Sequence, residues 1–369
     1  MSLPGNETEI QLLLAKCIGR EVKIPNLFLL YPWEVKVSPP DEKLEMEVEL
    51  WRSRFINDST SLKRNRAVDP CLFARGGAPD ADFDGLVNLA KWAAWIYYWD
   101  DAYDLGEFDD KSQEVAAHLE QTIELVRQSL SNQFPSRIDP ATIAPTYPTA
   151  QSIHEWASWI GGERGLSPAF KRWIFKVVTD YCKAASRLTT EFYKGTTLDL
   201  ETYHKIRTDS SGVLPTFGAT LAADNIALPD WFFDHELFEQ AGDLVNIIVW
   251  VSNDVISVWN ELRVQHVDNL IPLLVYHKQL TPQEAVDEAC GIIHQAYLDF
   301  EVLIPQLIQL GEDRNITSEM RRFIASCKFT CTGLLHWSYN TRRYVLWETG
   351  MDHGSTSVVF GQDLPKRPA

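Results

Sequence analysis

The 369-residue sequence predicts an all-α fold built as one domain. Three observations point there. Long stretches carry apolar residues at helical spacing and open on Ser, Thr or Asp caps. No run alternates apolar and polar residues for long enough to build a sheet. Hydrophobic residues make up 45% of the chain, enough for a substantial core. No linker, internal repeat or low-complexity tract divides that core in two. The expectation is a bundle of roughly ten helices.

Taken in order, residues 1 to 40 contain prolines at 4, 25, 32, 39 and 40 and read as an irregular arm, with 1–20 a loose end. "DEKLEMEVELWRSRFIND" has helical spacing. "DADFDGLVNLAKWAAWIYYWDDAYD" is a clear helix, capped by Asp or Ala-Asp at its start. "DKSQEVAAHLEQTIELVRQSLSN" is amphipathic and surface-like. Four prolines between 132 and 148 mark a loop. "SPAFKRWIFKVVTDYCKAASRLTTEFYKG" is a long helix with a Ser cap and Pro at its first position. A short segment at 199–208 runs into the interruption "TDSSGVLP", and helix resumes. "HELFEQAGDLVNIIVWVSNDVISVWNELRV", "TPQEAVDEACGIIHQAYLDFEVLIPQLIQLG" and "TSEMRRFIASCKFTCTGLLHWSYNTRRYVLWETG" finish the fold, the last two on Thr-Pro and Thr-Ser caps. Residues 351–369 read as a loose tail.

Charge narrows the function classes. The formal net charge is −17 and the isoelectric point about 5.0. So acidic a chain meets phosphate with like charge, which argues against general nucleic-acid binding. A cationic partner, or one bridged by metal, fits better. The six cysteines are scattered, and only Cys327 and Cys331 lie close. With no two further ligands at zinc spacing, that pair reads as small core residues one helical turn apart. The start "MSLPGNETEI" lacks a basic region followed by an apolar run. Stretches such as "LVNIIVWVSNDVISVW" carry polar residues and make poor membrane spans. The expectation is a cytoplasmic protein with reduced thiols and no membrane span. The sequence leaves a homodimer open.

The segment "YYWDDAYDLGEFDD" places six carboxylates in eleven positions after an apolar, aromatic helix. Such a concentration repels itself unless water or a cation is present. Asp100 and Asp104 lie about 40° apart on one helical face, with Asp101 on the flank. Carboxylates one turn apart suit Mg²⁺, which takes hard oxygen ligands; a solvated helix end is the plainer reading of this motif alone. In "NDVISVWNE", Asn253, Ser257 and Glu261 are spaced by four and form one polar stripe on an apolar helix. An amide oxygen, a hydroxyl and a carboxylate there form a ligand set for another hard cation. In "WSYNTRRYVLW", Arg342, Arg343 and Tyr344 come late in an apolar helix, where cations also meet the helix dipole. In "YHKIRTDSSG", Arg207 stands just ahead of a Ser-Ser-Gly break. Two oxygen-rich motifs can hold a Mg²⁺ cluster, and Arg207, Arg343 and Tyr344 can hold an anion against it. The anion that uses Mg²⁺ and Arg together is phosphate or diphosphate. No Gly-rich phosphate loop is present. An aromatic cavity under such a site suits a prenyl diphosphate.

These motifs resemble those of the class I terpene cyclases. "DDAYD", "NDVISVWNE" and "RRY" look like that family's DDxxD, NDxxSxxxE and C-terminal Arg-Tyr signatures, in the same order and similarly separated. Trp337, six residues ahead of the Arg, and "YHKIR" before "DSSG" also match. "KIPNLFLLYPWEVKVSPP" and "ELWRSRF" look most like microbial, fungal, sesquiterpene cyclases, and the likeness runs from about residue 20 to 348. It implies an α-helical barrel around an apolar pocket, with three Mg²⁺ at its mouth and farnesyl diphosphate as substrate. Asp100 would bridge two ions, with Asp101 and Asp104 supporting it or contacting the sensor Arg. Asn253, Ser257 and Glu261 would bind the third. Arg207 would sense diphosphate, and Arg343 and Tyr344 would clamp it. A carbonyl near Ser211 or Gly212 would face the nascent cation, and Tyr97, Trp337 and Phe217 would line the pocket. Many members carry Lys immediately before the motif's Glu; Asn260 stands there, leaving that contact to Arg342 or another cation. The rivals are a prenyl-chain elongating transferase, which uses two Asp-rich motifs, and a non-catalytic isoprenoid-binding helical protein.

Overall fold

A computed structural model describes residues 6–104, 112–131, 147–192, 197–344 and 355–362. Fifteen α-helices lie among the described residues. They are α1 (Asn6–Cys17), α2 (Glu42–Phe55), α3 (Ser59–Val68), α4 (Pro70–Gly77), α5 (Phe83–Asp104), α6 (Ser112–Leu130), α7 (Pro148–Gln151) and α8 (His154–Ser158). Then come α9 (Pro168–Phe192), α10 (Leu200–Ser210), α11 (Val213–Ala223), α12 (Glu236–Arg263), α13 (Leu270–Lys278), α14 (Pro282–Asp313) and α15 (Thr317–Asn340). A π-helical turn, Trp159–Glu163, follows α8.

Caps set most of the boundaries. Asp82 accepts from the Gly85 N–H at the start of α5, and Ser167 from the Phe170 N–H at α9, as the sequence predicts. Thr281 and Glu284 close a reciprocal capping box on α14, with Pro282 at the first position. The start of α15 differs: Thr317 lies inside the helix, and Ile316 occupies the cap position with no side-chain bond.

Helices α5, α9, α10, α11, α12 and α15 surround a central cavity, and the other helices pack around them. Helix α12 is the one helix among the described residues long and apolar enough to cross a membrane, but 72% of that stretch is buried inside the protein. It packs on α10, α11, α13, α14 and α15. Helices α4 and α15 cross closely at glycine. A Cβ on Gly333 would lie 2.1 Å from the Gly76 carbonyl oxygen, so only Gly permits this approach.

Four sequence expectations change. The arm and tail expected to be loose carry structure. The arm contains α1 and strand β1 (Glu21–Ile24), which pairs antiparallel with β2 (Thr356–Val359), with Val22 opposite Val358. Four-residue strands are too short for alternation to register, although β1 does alternate exposed and buried. Residues 59–77 and 148–163 form helices that the sequence reading passed over, because caps and prolines interrupt them every few residues. The stretch 132–146 lies outside the described residues. Finally, α15 stops at Asn340, so Arg343 and Tyr344 sit in the turn beyond it. All six cysteines are buried and free, Cys327 and Cys331 among them.

Candidate active site

The cavity has a volume of about 800 Å³ and is lined by residues of all four motifs. Asp100 and Asp101 come from the last turn of α5, and Arg207 from α10. Asn253, Ser257 and Glu261 form a stripe on α12. Arg343 and Tyr344 come from the turn after α15, facing back over the opening. That turn is pinned by Thr341, whose hydroxyl reaches the Ala67 and Val68 carbonyls at 2.7 and 2.9 Å. Asp104 is the last residue of α5, and its side chain lies outside the described residues.

The polar groups are already cross-linked. Arg343 donates through Nη1 and Nη2 to Asp101 Oδ1, both at 3.0 Å. Tyr181 donates to Asp100 Oδ1 at 3.0 Å. Arg207 donates through Nη2 to Asn253 Oδ1 at 2.9 Å, and through Nε and Nη2 to Asp254 Oδ1 at 3.1 and 2.9 Å. Asn253 Nδ2 donates in turn to Tyr344 Oη at 2.9 Å. Burial opposes the charge on both arginines, yet their carboxylate partners outweigh it and hold each guanidinium above its usual pKa. Glu261 accepts from Asn269 Nδ2 at 2.9 Å, and burial pushes its carboxyl up from the ordinary range.

Asp254 is the residue the sequence reading left without a role. It is 1% exposed and lies off the cavity-lining stripe of Asn253, Ser257 and Glu261. Its other oxygen accepts from Tyr203 at 2.6 Å and from the Leu270 N–H at 3.0 Å. Asp254 thereby fixes Arg207 and the start of α13 against α12. A second Asp adjoining Asn253 is the signal that could have found it.

The predicted break is present at Ser211–Gly212, between α10 and α11. Gly212 has φ +69°, and a Cβ there would meet Ile96 Cδ1 at 2.7 Å. Ser211 Oγ donates to Asn246 Oδ1 at 3.1 Å, and Asn246 Nδ2 returns to the Thr208 carbonyl at 2.8 Å. These bonds turn the chain at the cavity wall.

Below the polar rim the wall is aromatic. Trp337 stacks on Tyr97 at 5.3 Å and meets Phe73 and Tyr344 edge-on at 5.2 and 5.7 Å. The Arg343 guanidinium lies over the Tyr97 ring at 4.6 Å. Phe217 is a correction, because it is absent from the wall. It is fully buried among Trp173, Phe238 and Phe323. Val213 and Thr216 take the cavity face of α11, and one more residue turns the side chain about 100° away. Asn260 lines the cavity and accepts from Arg263 Nη2 at 3.0 Å. Arg342 and, from α3, Arg64 also face the cavity. Tyr31 and Tyr181 join the wall from segments whose sequence carries no local sign of it, and Tyr103 joins it from within DDAYD itself.

The donor set fits divalent cations. Ser257 Oγ is buried on the same stripe as an amide and a carboxylate, with its hydroxyl beside Glu261. Oxygen ligands from two facing helices suit a hard ion. Among the described residues no three acidic, His or Cys side chains cluster by themselves. The set depends instead on an amide and a hydroxyl.

Such a helical barrel, with acidic and Asn/Ser/Glu motifs at the mouth of an aromatic cavity, has the architecture of the class I terpene cyclases. A family model described as terpene synthase family 2, C-terminal metal binding, matches residues 91–299. The chain belongs to that family and is a lyase that releases diphosphate. It is 25% identical to terpene cyclase braA of Annulohypoxylon truncatum, over 91% of this chain and 89% of that one. It is 26% identical to silphinene synthase peniA of Penicillium patulum, over 88% and 85% of the two chains. Its fold superposes on linalool/nerolidol synthase from Streptomyces clavuligerus, in complex with 2-fluorogeranyl diphosphate, with a TM-score of 0.69. That match is 20% identical and covers 85% of this chain and 98% of the other.

Proposed function

We propose that this protein is a Mg²⁺-dependent sesquiterpene cyclase acting in the cytoplasm as one catalytic domain. It ionises farnesyl diphosphate and cyclises the C15 cation to a hydrocarbon or alcohol. The observation that carries this reading is the convergence of Asp100, Asp101, Asn253, Ser257 and Glu261 with Arg207, Arg343 and Tyr344 on one aromatic cavity. Asp100, Asp101 and Asp104 would hold Mg²⁺ from α5, and Asn253, Ser257 and Glu261 from α12. Bound there, the ions supply positive charge beside the leaving diphosphate. Arg207, Arg343 and Tyr344 donate to diphosphate oxygens, and these bonds strengthen as charge develops. Arg342 and Arg64 are the cations placed to supply the contact that Asn260 does not.

The wall then governs the cation. Tyr97 and Trp337 present ring faces worth roughly 0.5–2 kcal/mol per contact to a nearby positive charge. The break at Ser211–Gly212 adds backbone dipoles to the wall. Water is kept out by the turn carrying Arg343 and Tyr344 once it seats on the diphosphate. The relatives named as terpene cyclase and silphinene synthase support this chemistry, and the neighbour's fluorinated diphosphate ligand supports a prenyl diphosphate. An elongating transferase is disfavoured by Asn253, Ser257 and Glu261 in place of a second Asp-rich motif.

The test is incubation of the purified chain with C10, C15 and C20 prenyl diphosphates, with products read by gas chromatography. A cyclic C15 product that disappears in excess EDTA is expected. Undiminished turnover in EDTA, or a longer linear diphosphate as the sole product, would overturn the reading.

A further inference from the structure

The two carboxylates at the end of α5 have unlike donors. Arg343 brings a full positive charge to Asp101, whereas Tyr181 brings a neutral phenol to Asp100 Oδ1, at 3.0 Å and from 81 positions away in sequence. A guanidinium offsets a carboxylate's charge and so competes with a metal ion for it. A phenol fixes the carboxylate's direction and leaves its charge in place. Tyr181 is itself held. It stands on α9, lines the cavity and is 2% exposed. Its ring lies against Trp99, with centroids 5.5 Å apart. One ring edge also meets the break between α10 and α11, where a Cβ on Gly212 would lie 3.3 Å from Tyr181 Cε2 and 3.6 Å from Cδ2. Glycine at 212 leaves the room that this ring fills. A ring packed on Trp99 and on the break has little freedom to swing, so packing sets the direction of its hydroxyl.

We propose that Tyr181 is a positioning residue for the α5 half of the metal site: its hydroxyl sets the Asp100 carboxylate at the angle from which it takes divalent cations. This rests on the cyclase reading above. An ionised carboxylate offers about four lone-pair directions, and the Tyr181 bond uses one of them on Oδ1. The terminal torsion of Asp is broad. Without the phenol, Asp100 samples a wider range of angles, and that freedom is lost when a cation binds. A second effect has the opposite sign, since a carboxylate relieved of a donor is slightly more basic and so attracts a cation more. Losing the hydrogen-bond partner of a metal ligand weakens metal sites by about 10–100-fold, so orientation outweighs basicity.

Tyr181→Phe tests it, because it removes the hydroxyl and keeps the ring against Trp99 and Gly212. Its melting temperature without metal should stay within a few degrees of wild type. In melts with saturating inorganic diphosphate, the Mg²⁺ concentration giving half the full stabilisation should be about 10-fold higher than in wild type. In turnover of farnesyl diphosphate, the half-saturating Mg²⁺ concentration should rise by a similar factor, and saturating Mg²⁺ should restore kcat. Asp100→Asn, which loses the charge itself, should not be restored by Mg²⁺. A purely structural Tyr181 would alter the melting temperature and leave both Mg²⁺ midpoints where they are. Unmoved midpoints in Tyr181→Phe, or a loss of kcat that saturating Mg²⁺ does not restore, overturn the proposal alone. A wild-type protein that Mg²⁺ and diphosphate do not stabilise overturns it together with the metal site of the cyclase reading.

Discussion

Arg343 and Asp101 are joined by two hydrogen bonds to one carboxylate oxygen, each 3.0 Å long, across 242 positions of sequence. The pair ties the turn after α15 to the end of α5, closing the mouth from two sides. It also leaves Asp101 Oδ2 outside this pairing. The guanidinium keeps donors to spare, since its planar fork carries five and Asp101 engages two.

Arg343→Ala should therefore reduce kcat by about 10²-fold or more, by the measure of losing one preorganised charged donor. Arg343→Lys should recover only part of that loss, because a point charge cannot span Asp101 and a diphosphate together. Full activity in Arg343→Lys, measured by diphosphate release, would reduce this residue to a simple surface cation.

Arg207 has a structural duty beside the one proposed for it, and variants can separate the two. It partners Asp254, whose side chain is 1% exposed, while its own is 19% exposed. Arg207→Ala should lose most turnover and also destabilise the fold by about 3 kcal/mol, the low end for stranding a buried charge, since Tyr203 and the Leu270 N–H still donate to it. The double variant Arg207→Ala/Asp254→Asn should recover most of the melting temperature and none of the activity. Recovery of both would show that Arg207 acts on structure alone.

The helical fold and most of the candidate site's placement could be read from the sequence because both write themselves at short range. Apolar spacing, caps and four-residue stripes are local patterns, and Asn253, Ser257 and Glu261 fall on the cavity as the period demands. Phe217 could not be placed, because on a helix buried along nearly its whole length, such as α11, the sequence does not say which side faces a cavity. Tyr31, Tyr181 and Arg64 reach the wall through tertiary packing that leaves no local trace. The end of α15 was missed because "YNTRRYVLW" keeps its apolar spacing past Thr341, whose side-chain bonds to Ala67 and Val68 turn the chain instead.

His118 gives stability a defined pH dependence. It is fully buried between Tyr103 and Thr149, bonded at 2.8 and 2.7 Å, and burial lowers its pKa from 6.5 to about 4. The unfolded chain binds a proton at His118 below pH 6.5, whereas the folded protein resists until about pH 4. Stability should thus be full above pH 6.5 and fall as pH drops through that window, by about 3 kcal/mol from this residue alone. Subtracting His118→Gln from wild type in urea melts at pH 7 and pH 4.5 isolates the effect. An identical pH slope in the two proteins would exclude it.

Glu261 has the opposite sign, and it links pH to metal. Burial raises its pKa, with His266 opposing and Asp254 reinforcing the shift. A raised carboxyl binds its proton more tightly in the folded state than in the unfolded chain. In metal-free protein, the stability this residue contributes is therefore greatest at acid pH, and it declines as pH rises from 4.5 through the elevated folded value. A divalent cation reverses this, because it binds the carboxylate and must displace the proton. Mg²⁺ should raise the wild-type melting temperature more at pH 8 than at pH 5.5. Glu261→Gln should melt no lower than wild type without metal at pH 8, since it carries no buried charge, and should lose most of the Mg²⁺-induced increase. Calorimetry of both proteins with and without Mg²⁺ decides the matter. If Glu261→Gln gains as much from Mg²⁺ as wild type does, Glu261 is not a ligand and the α12 half of the metal site is wrong. If it melts lower than wild type without metal, the Asn269 contact at 2.9 Å matters more than the burial of its charge.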